Sequence, residues 1–189
     1  AMGRAAEDVR KVVAGDSQGM KDGMLSASAK MIAYAIREGM TTSTEVTRHY
    51  LERIESTNSL LDAVVLVTAE QALEQAARAD AALAKRGATG PLHGVPMTLK
   101  DSIDTAGVVT TYGTAGRRAA VPTEDATVVR RLKAAGAVLI GKTNTPELTL
   151  SFETDNDVFG RTMNPFDSER SPGGSSGGAA AAVSSGLSA

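Results

Sequence analysis

Three segments between residues 94 and 140 constrain the fold of this chain more than any other feature. Gly94-Val95-Pro96-Met97-Thr98-Leu99-Lys100 alternates as a strand does, with Val95, Met97 and Leu99 on one face and Lys100 at its C-terminal end on the other. Thr123-Glu124-Asp125 supplies cap candidates for a helix running to about Ala135. Gly136 ends it, and Ala137-Val138-Leu139-Ile140 is a fully apolar strand. Strand, helix, strand in that order implies a parallel pair with a right-handed crossover, which makes the fold class α/β.

Upstream, residues 1–25 are punctuated by glycine, Asp and Lys and read as a loosely held arm. Its Ala1-Met2-Gly3 start is set aside from fold reasoning. From 26 onward the chain reads as one ordered unit reaching residue 189. Ala29, Ile32, Ala33 and Ile36 recur at helical steps and the run stops at Gly39. Thr42-Ser43-Thr44-Glu45 fits a capping box ahead of a helix with Val46, Tyr50 and Ile54 on one face. Ala63-Val64-Val65-Leu66-Val67 reads as a buried strand, and 69–86 as an Ala/Glu/Gln/Arg helix closed by Gly87. Thr145-Pro146-Glu147 predicts a further helix with proline at its first position.

Composition removes several chemistries. The 189 residues carry 20 Lys+Arg against 22 Asp+Glu, a net charge of −2, so no basic nucleic-acid surface is implied. No cysteine occurs, which excludes a disulfide scaffold, a thiolate metal site and a Cys nucleophile. Only His49 and His93 are present, widely separated, and both look poorly placed for a metal site or a Ser-His-Asp triad. No apolar run approaches the roughly 20 residues a spanning helix needs, and no secretory leader is visible, so a cytoplasmic address is the expectation. The three Tyr and three Phe leave a core of small and aliphatic side chains, thin for a complete domain.

Ser171-Pro172-Gly173-Gly174-Ser175-Ser176-Gly177-Gly178 is a glycine-serine loop leading directly into Ala179-Ala180-Ala181-Ala182-Val183. On composition it is a flexible linker; as a loop opening a helix, it presents backbone amides where negative charge is favoured. It is not a phosphate loop, because Ala179 stands where Lys and then Ser or Thr would follow the last glycine. A dinucleotide fingerprint fails as well. A hydroxyl in such a loop becomes a proton carrier or nucleophile if a base reaches it. His49 lies beside an apolar helical stripe and His93 in a turn, so a lysine whose charge is weakened by burial is the remaining base. Lys100 is the candidate, against the alternative of a solvated lysine paired with Asp101 or Asp104.

At this point the residues resemble a known family. The segments 94–101, 135–144 (Ala135-Gly136-Ala137-Val138-Leu139-Ile140-Gly141-Lys142-Thr143-Asn144), 164–166 (Asn164-Pro165-Phe166) and 173–178 follow the amidase signature family in order and spacing, across roughly residues 28 to 189. The resemblance implies an α/β/α sandwich around a mixed sheet, present here only in part, and an enzyme that hydrolyses carboxylic amides through a Ser-cisSer-Lys triad. It makes Lys100 the triad lysine, Ser175 the serine held by a cis peptide bond after Gly174, and Ser176 a supporting neighbour. Thr149 falls where fatty-acid-amide-type members place a substrate-lining residue. The acyl-accepting serine and its oxyanion amides would lie near position 199, beyond residue 189, so the 189-residue chain alone is expected to be inactive. Ser184, Ser185 and Ser188 read as helix and helix end rather than as substitutes.

A small amide is the implied partner, with a homodimer or a completing C-terminal segment as macromolecular ones. Direct nucleic-acid binding, a metal and an organic cofactor are not implied, because a Ser/Lys relay needs none. Two alternatives stand beside the amidase: the A-type subunit of a tRNA-dependent amidotransferase, and a non-catalytic fragment serving as an assembly module.

Overall fold

The structure, a computed structural model, describes residues 27–189. The expected N-terminal arm, 1–25, lies outside the described residues. Among the described residues, five α-helices and three strands follow in chain order: α1 (Ala29–Arg37), α2 (Ser43–Thr57), β1 (Val64–Val67), α3 (Ala69–Arg86), β2 (Pro96–Lys100), α4 (Thr127–Ala134), β3 (Val138–Thr143) and α5 (Gly177–Ser184). The strands form one sheet in the order β1-β3-β2, with β1 antiparallel and β2 parallel to β3. The sheet is therefore mixed, and α4 is the crossover between its parallel pair.

Local signals set the first three helices. Ser28 Oγ accepts from Met31 N at the start of α1, and Gly39, at φ 68°, carries the chain away from its end. In α2 the capping box closes both ways: Thr42 Oγ1 accepts from Glu45 N at 3.1 Å, and Glu45 Oε2 accepts from Thr42 N at 2.9 Å. Gly87 ends α3 at φ 80°.

One face of the sheet and the helices α1, α2 and α5 bury Ile32, Ile36, Val46, Tyr50, Ile54, Val138, Ile140 and Ala182 together. The opposite face buries Leu99 and Leu139 against Val129 of α4 and Val108. Helices thus cover both faces, as an α/β/α arrangement requires. Val95 departs from expectation, since it joins the first cluster while Met97 and Leu99 serve the second. The strand begins only at Pro96, and Val95 still belongs to the preceding turn, its N–H bonded back to Leu92 O at 3.0 Å.

Two other expectations are corrected. The Thr123-Glu124-Asp125 caps do not open α4, which starts at Thr127 after Ala126. Asp125 is engaged elsewhere, accepting from Ala106 N at 2.8 Å and from Lys133 Nζ at 2.7 Å. No α-helix opens at Pro146 either. Residues Glu147–Thr149 form a single 3-10 turn, because Leu148 and Thr149 sit at φ 50° and 63° and Leu148 N is drawn to Tyr112 O at 2.8 Å.

Strand β3 runs past the apolar run through Gly141, Lys142 and Thr143. Its pairing with β2 slips by one residue between Met97↔Leu139 and Thr98↔Gly141, which makes Ile140 the extra residue of a bulge. The slip reverses the alternation. Lys142 then pairs with Leu99, on the face of the second cluster, while Lys100 pairs with Thr143 on the other. On Lys100's side, two residues earlier in β2, Thr98 donates through both its N–H (3.1 Å) and its hydroxyl (3.0 Å) to Ser188 Oγ.

Candidate active site

The C-terminal end of β2 delivers Lys100 to the glycine-serine loop that opens α5. Lys100 Nζ donates to Ser175 Oγ at 2.7 Å and to Ser176 Oγ at 3.2 Å. The peptide bond between Gly174 and Ser175 is cis. Burial holds the Lys100 ammonium below the ordinary lysine range. The alternative pairing of Lys100 with Asp101 or Asp104 does not form. Asp101 Oδ2 instead accepts from the N–H and hydroxyl of Thr111, and Asp104 pairs with Arg117 at 3.4 Å.

The loop is shaped by close approach. A Cβ on Gly174 would come within 2.7 Å of Phe152 C, and one on Gly178 within 2.5 Å of Asn144 N. Its carbonyls and amides are held from two directions. Thr145 Oγ1, just past β3, donates to Ser175 O at 3.2 Å. Thr154 Oγ1 donates to Gly173 O at 2.8 Å and accepts from Gly177 N at 3.0 Å. A buried amide network ties these two threonines to each other: Asn156 Nδ2 donates to Asn144 Oδ1 and to Thr145 O, both at 2.7 Å. Asn144 Nδ2 in turn donates to Thr162 Oγ1 and Gly160 O, each at 3.0 Å.

Of the residues singled out from sequence, Lys100, Ser175, Ser176 and Gly174 come together here. Thr149 does not join them through a hydrogen bond; it stands half-buried on the turn after β3, its N–H bonded to Pro146 O. His93 is buried and fully engaged. Thr89 N donates to its Nδ1 at 3.1 Å, so the ring proton is on Nε2, which donates to Ala79 O at 3.0 Å. His49 is half-buried on α2, its ring edge-on to Tyr50. Ser184 Oγ is bonded back to Ala180 O, and Ser188 Oγ to Thr98. Among the described residues no three His, Asp or Glu side chains are grouped as metal ligands.

Sequence reasoning passed over Thr145, Thr154, Asn156 and Lys142. The last fills a cage: fully buried, its Nζ donates to Ile103 O at 2.6 Å, Thr110 Oγ1 at 3.0 Å and Thr105 Oγ1 at 3.2 Å. Burial pushes it from the ordinary 10.5 to about 8, against the partial opposition of Asp101 and Asp104. The one advance signal was a polar run, Lys142 to Thr145, following the apolar strand after the single Gly141.

The family model described as Amidase matches residues 45–189. The A-type subunit of the glutamyl-tRNA(Gln) amidotransferase of Moorella thermoacetica is 51% identical over 145 residues, which cover 77% of this chain and 30% of that protein. A putative amidase AmiB2 of Mycobacterium bovis is 49% identical over 162 residues, covering 86% of this chain and 34% of the relative. The X-ray structure of the native peptide amidase from Stenotrophomonas maltophilia superposes with a TM-score of 0.82 at 35% identity, over 86% of this chain and 35% of that one. The chain thus spans about a third of the length of the curated relatives it matches. The matched stretch takes in all three strands, Lys100 and the whole glycine-serine loop, and the chain belongs to the amidase family.

Proposed function

We propose that the protein hydrolyses small or aliphatic primary amides to the acid and ammonia, with Lys100 as base and Ser175 as proton relay. The observation that carries this reading is the 2.7 Å contact between Lys100 Nζ and Ser175 Oγ. A candidate base must first lie within hydrogen-bond reach of its proton and then have a pKa matched to the task, and burial moves Lys100 in the useful direction. Neutral Lys100 takes the Ser175 proton while Ser175 Oγ takes one from the acyl-accepting hydroxyl. As the tetrahedral adduct collapses, the C–N bond breaks and the same two groups return a proton to the departing ammonia; water, deprotonated by the same relay, then cleaves the acyl ester to the acid and restores the serine hydroxyl. Ser176 Oγ, at 3.2 Å, helps hold the Lys100 amine on line. The acyl-accepting serine is assigned beyond these 189 residues, so the complete enzyme is the species to assay.

The test is ammonia release from a series of primary amides by the complete enzyme and its Lys100→Ala variant. The variant is expected to lose about 10³-fold in kcat. In the parent enzyme kcat rises with pH and levels once Lys100 is deprotonated, below the ordinary lysine range. Turnover that survives Lys100→Ala removes the proposed base.

A second reading is supported by the 51% identity to the Moorella thermoacetica protein: an amidotransferase subunit that draws ammonia from glutamine. It differs in one measurable respect, since glutamine would be hydrolysed only when a partner subunit is present.

A further inference from the structure

We infer that Thr154 is a positioning residue for the Lys100–Ser175 pair, its single hydroxyl stapling the two ends of the loop that carries Ser175. The inference rests on the amidase reading for its catalytic consequence, though not for its structural one. Thr154 is 1% exposed and uses its hydroxyl fully, donating to Gly173 O and accepting from Gly177 N, the residues on either side of Gly174, Ser175 and Ser176.

The bond to Gly177 has a specific meaning. Gly177 opens α5, and the first amides of a helix lack intrahelical partners, which is why a serine just before the first turn normally turns its hydroxyl back onto them. Ser176 occupies that position and makes no such cap. Its hydroxyl faces Lys100 Nζ instead. Thr154 supplies, from another segment, the acceptor for Gly177 N–H, the first of those amides, which a cap at Ser176 directed at the second or third would not reach. A Cβ on Gly177 would overlap the Thr154 hydroxyl, so glycine at that position is the counterpart of the staple.

Thr154 is itself mounted rigidly. Its carbonyl accepts from Thr162 N at 2.9 Å, and Asn156, two residues on, is locked to Asn144 and Thr145 at the end of β3. Strand β3 lies beside β2, whose last residue is Lys100. The hydroxyl therefore refers the position of Ser175 to the same sheet that positions the base.

Two measurements on the complete enzyme test this, with Thr154→Val as the isosteric loss of the hydroxyl and Thr154→Ser as its restoration. Thr154→Val is expected to lower kcat at least tenfold, change KM less than twofold and shift the acid limb of the kcat–pH profile, while Thr154→Ser stays within threefold of the parent. In hydrogen exchange, the Gly177 amide of the Val variant is expected to exchange at least tenfold faster, with the β3 amides unchanged and the Ser variant like the parent. Should the Val variant fail to fold, Thr154→Ala, which asks for no new polar or steric accommodation, is read in the same way. Unchanged Gly177 exchange in the Val or Ala variant, or a Ser variant as impaired as Val, overturns the inference. A loss confined to KM does so too. Survival of turnover in Lys100→Ala overturns the amidase reading instead, and leaves the exchange result to stand or fall alone.

Discussion

Lys100 and Lys142 lie one rung apart on adjacent parallel strands, Lys100 opposite Thr143 and Lys142 opposite Leu99, and burial lowers the pKa of both. Their surroundings differ in kind. Lys142 is enclosed by three oxygens, one for each proton of an ammonium, and the two threonine hydroxyls among them are fully buried and already donate their own protons to Ile103 O and Val108 O. Lys100 meets two serine hydroxyls on a loop that begins a helix. Depressed basicity therefore marks burial alone. What separates a structural lysine from a candidate base is whether the hydroxyl it meets has its own proton already committed to a buried backbone carbonyl. The bulge at Ile140 is what sends the two lysines to opposite faces.

Substitution should pull the two apart. Lys142→Met leaves Ile103 O and two threonine hydroxyls without their buried donor, and is expected to cost about 3 kcal/mol of stability in denaturant unfolding. A loss under about 1 kcal/mol would mean that the cage is not a structural element.

A smaller effect is expected from pH. With Lys142 at about 8 when folded and the ordinary 10.5 when unfolded, the unfolded chain binds more protons across that interval. This group's contribution to stability is therefore flat below about pH 8 and rises from there toward 10.5. Tyr50, pushed by burial to about 12, pulls the other way once pH exceeds 10, so unfolding is followed between pH 8 and 10, where Lys100, also lowered by burial, adds to the slope in the same direction as Lys142. The slope should fall in Lys142→Met to the part that Lys100 supplies; a slope unchanged from the parent assigns the titration elsewhere.

The smallest change belongs to Lys100→Met, expected to move stability by less than about 1 kcal/mol while turnover collapses. Stability and activity losses of equal rank at both lysines would dissolve the distinction.

Much of the helical layer was legible from sequence because its signals are local: Thr42 and Glu45 are three residues apart, and Gly39 and Gly87 each follow the helix they end. The reading failed where distant residues decide. Asp125 looked like a cap but answers Ala106, 19 residues away, and Lys133. The extension of β3 depends on a cage built 32 to 39 residues upstream of Lys142, which no periodicity in β3 announces. Lys100 was a candidate base from its place at a strand end, but its pairing with Ser175 came only from the order of whole motifs, since their contact spans 75 residues. The threonines that hold the loop act across 19 to 30 residues and look like ordinary linker polar groups until folded.

The Thr98–Ser188 bond has a mechanical consequence. Thr98 and Lys100 grip the same C-terminal segment at two points, Ser188 beyond the helix and Ser175 before it, so strand and helix form a closed frame. A displacement of α5 relative to β2 must therefore strain both grips, so the spacing of Lys100 and Ser175 is braced from either end of the helix.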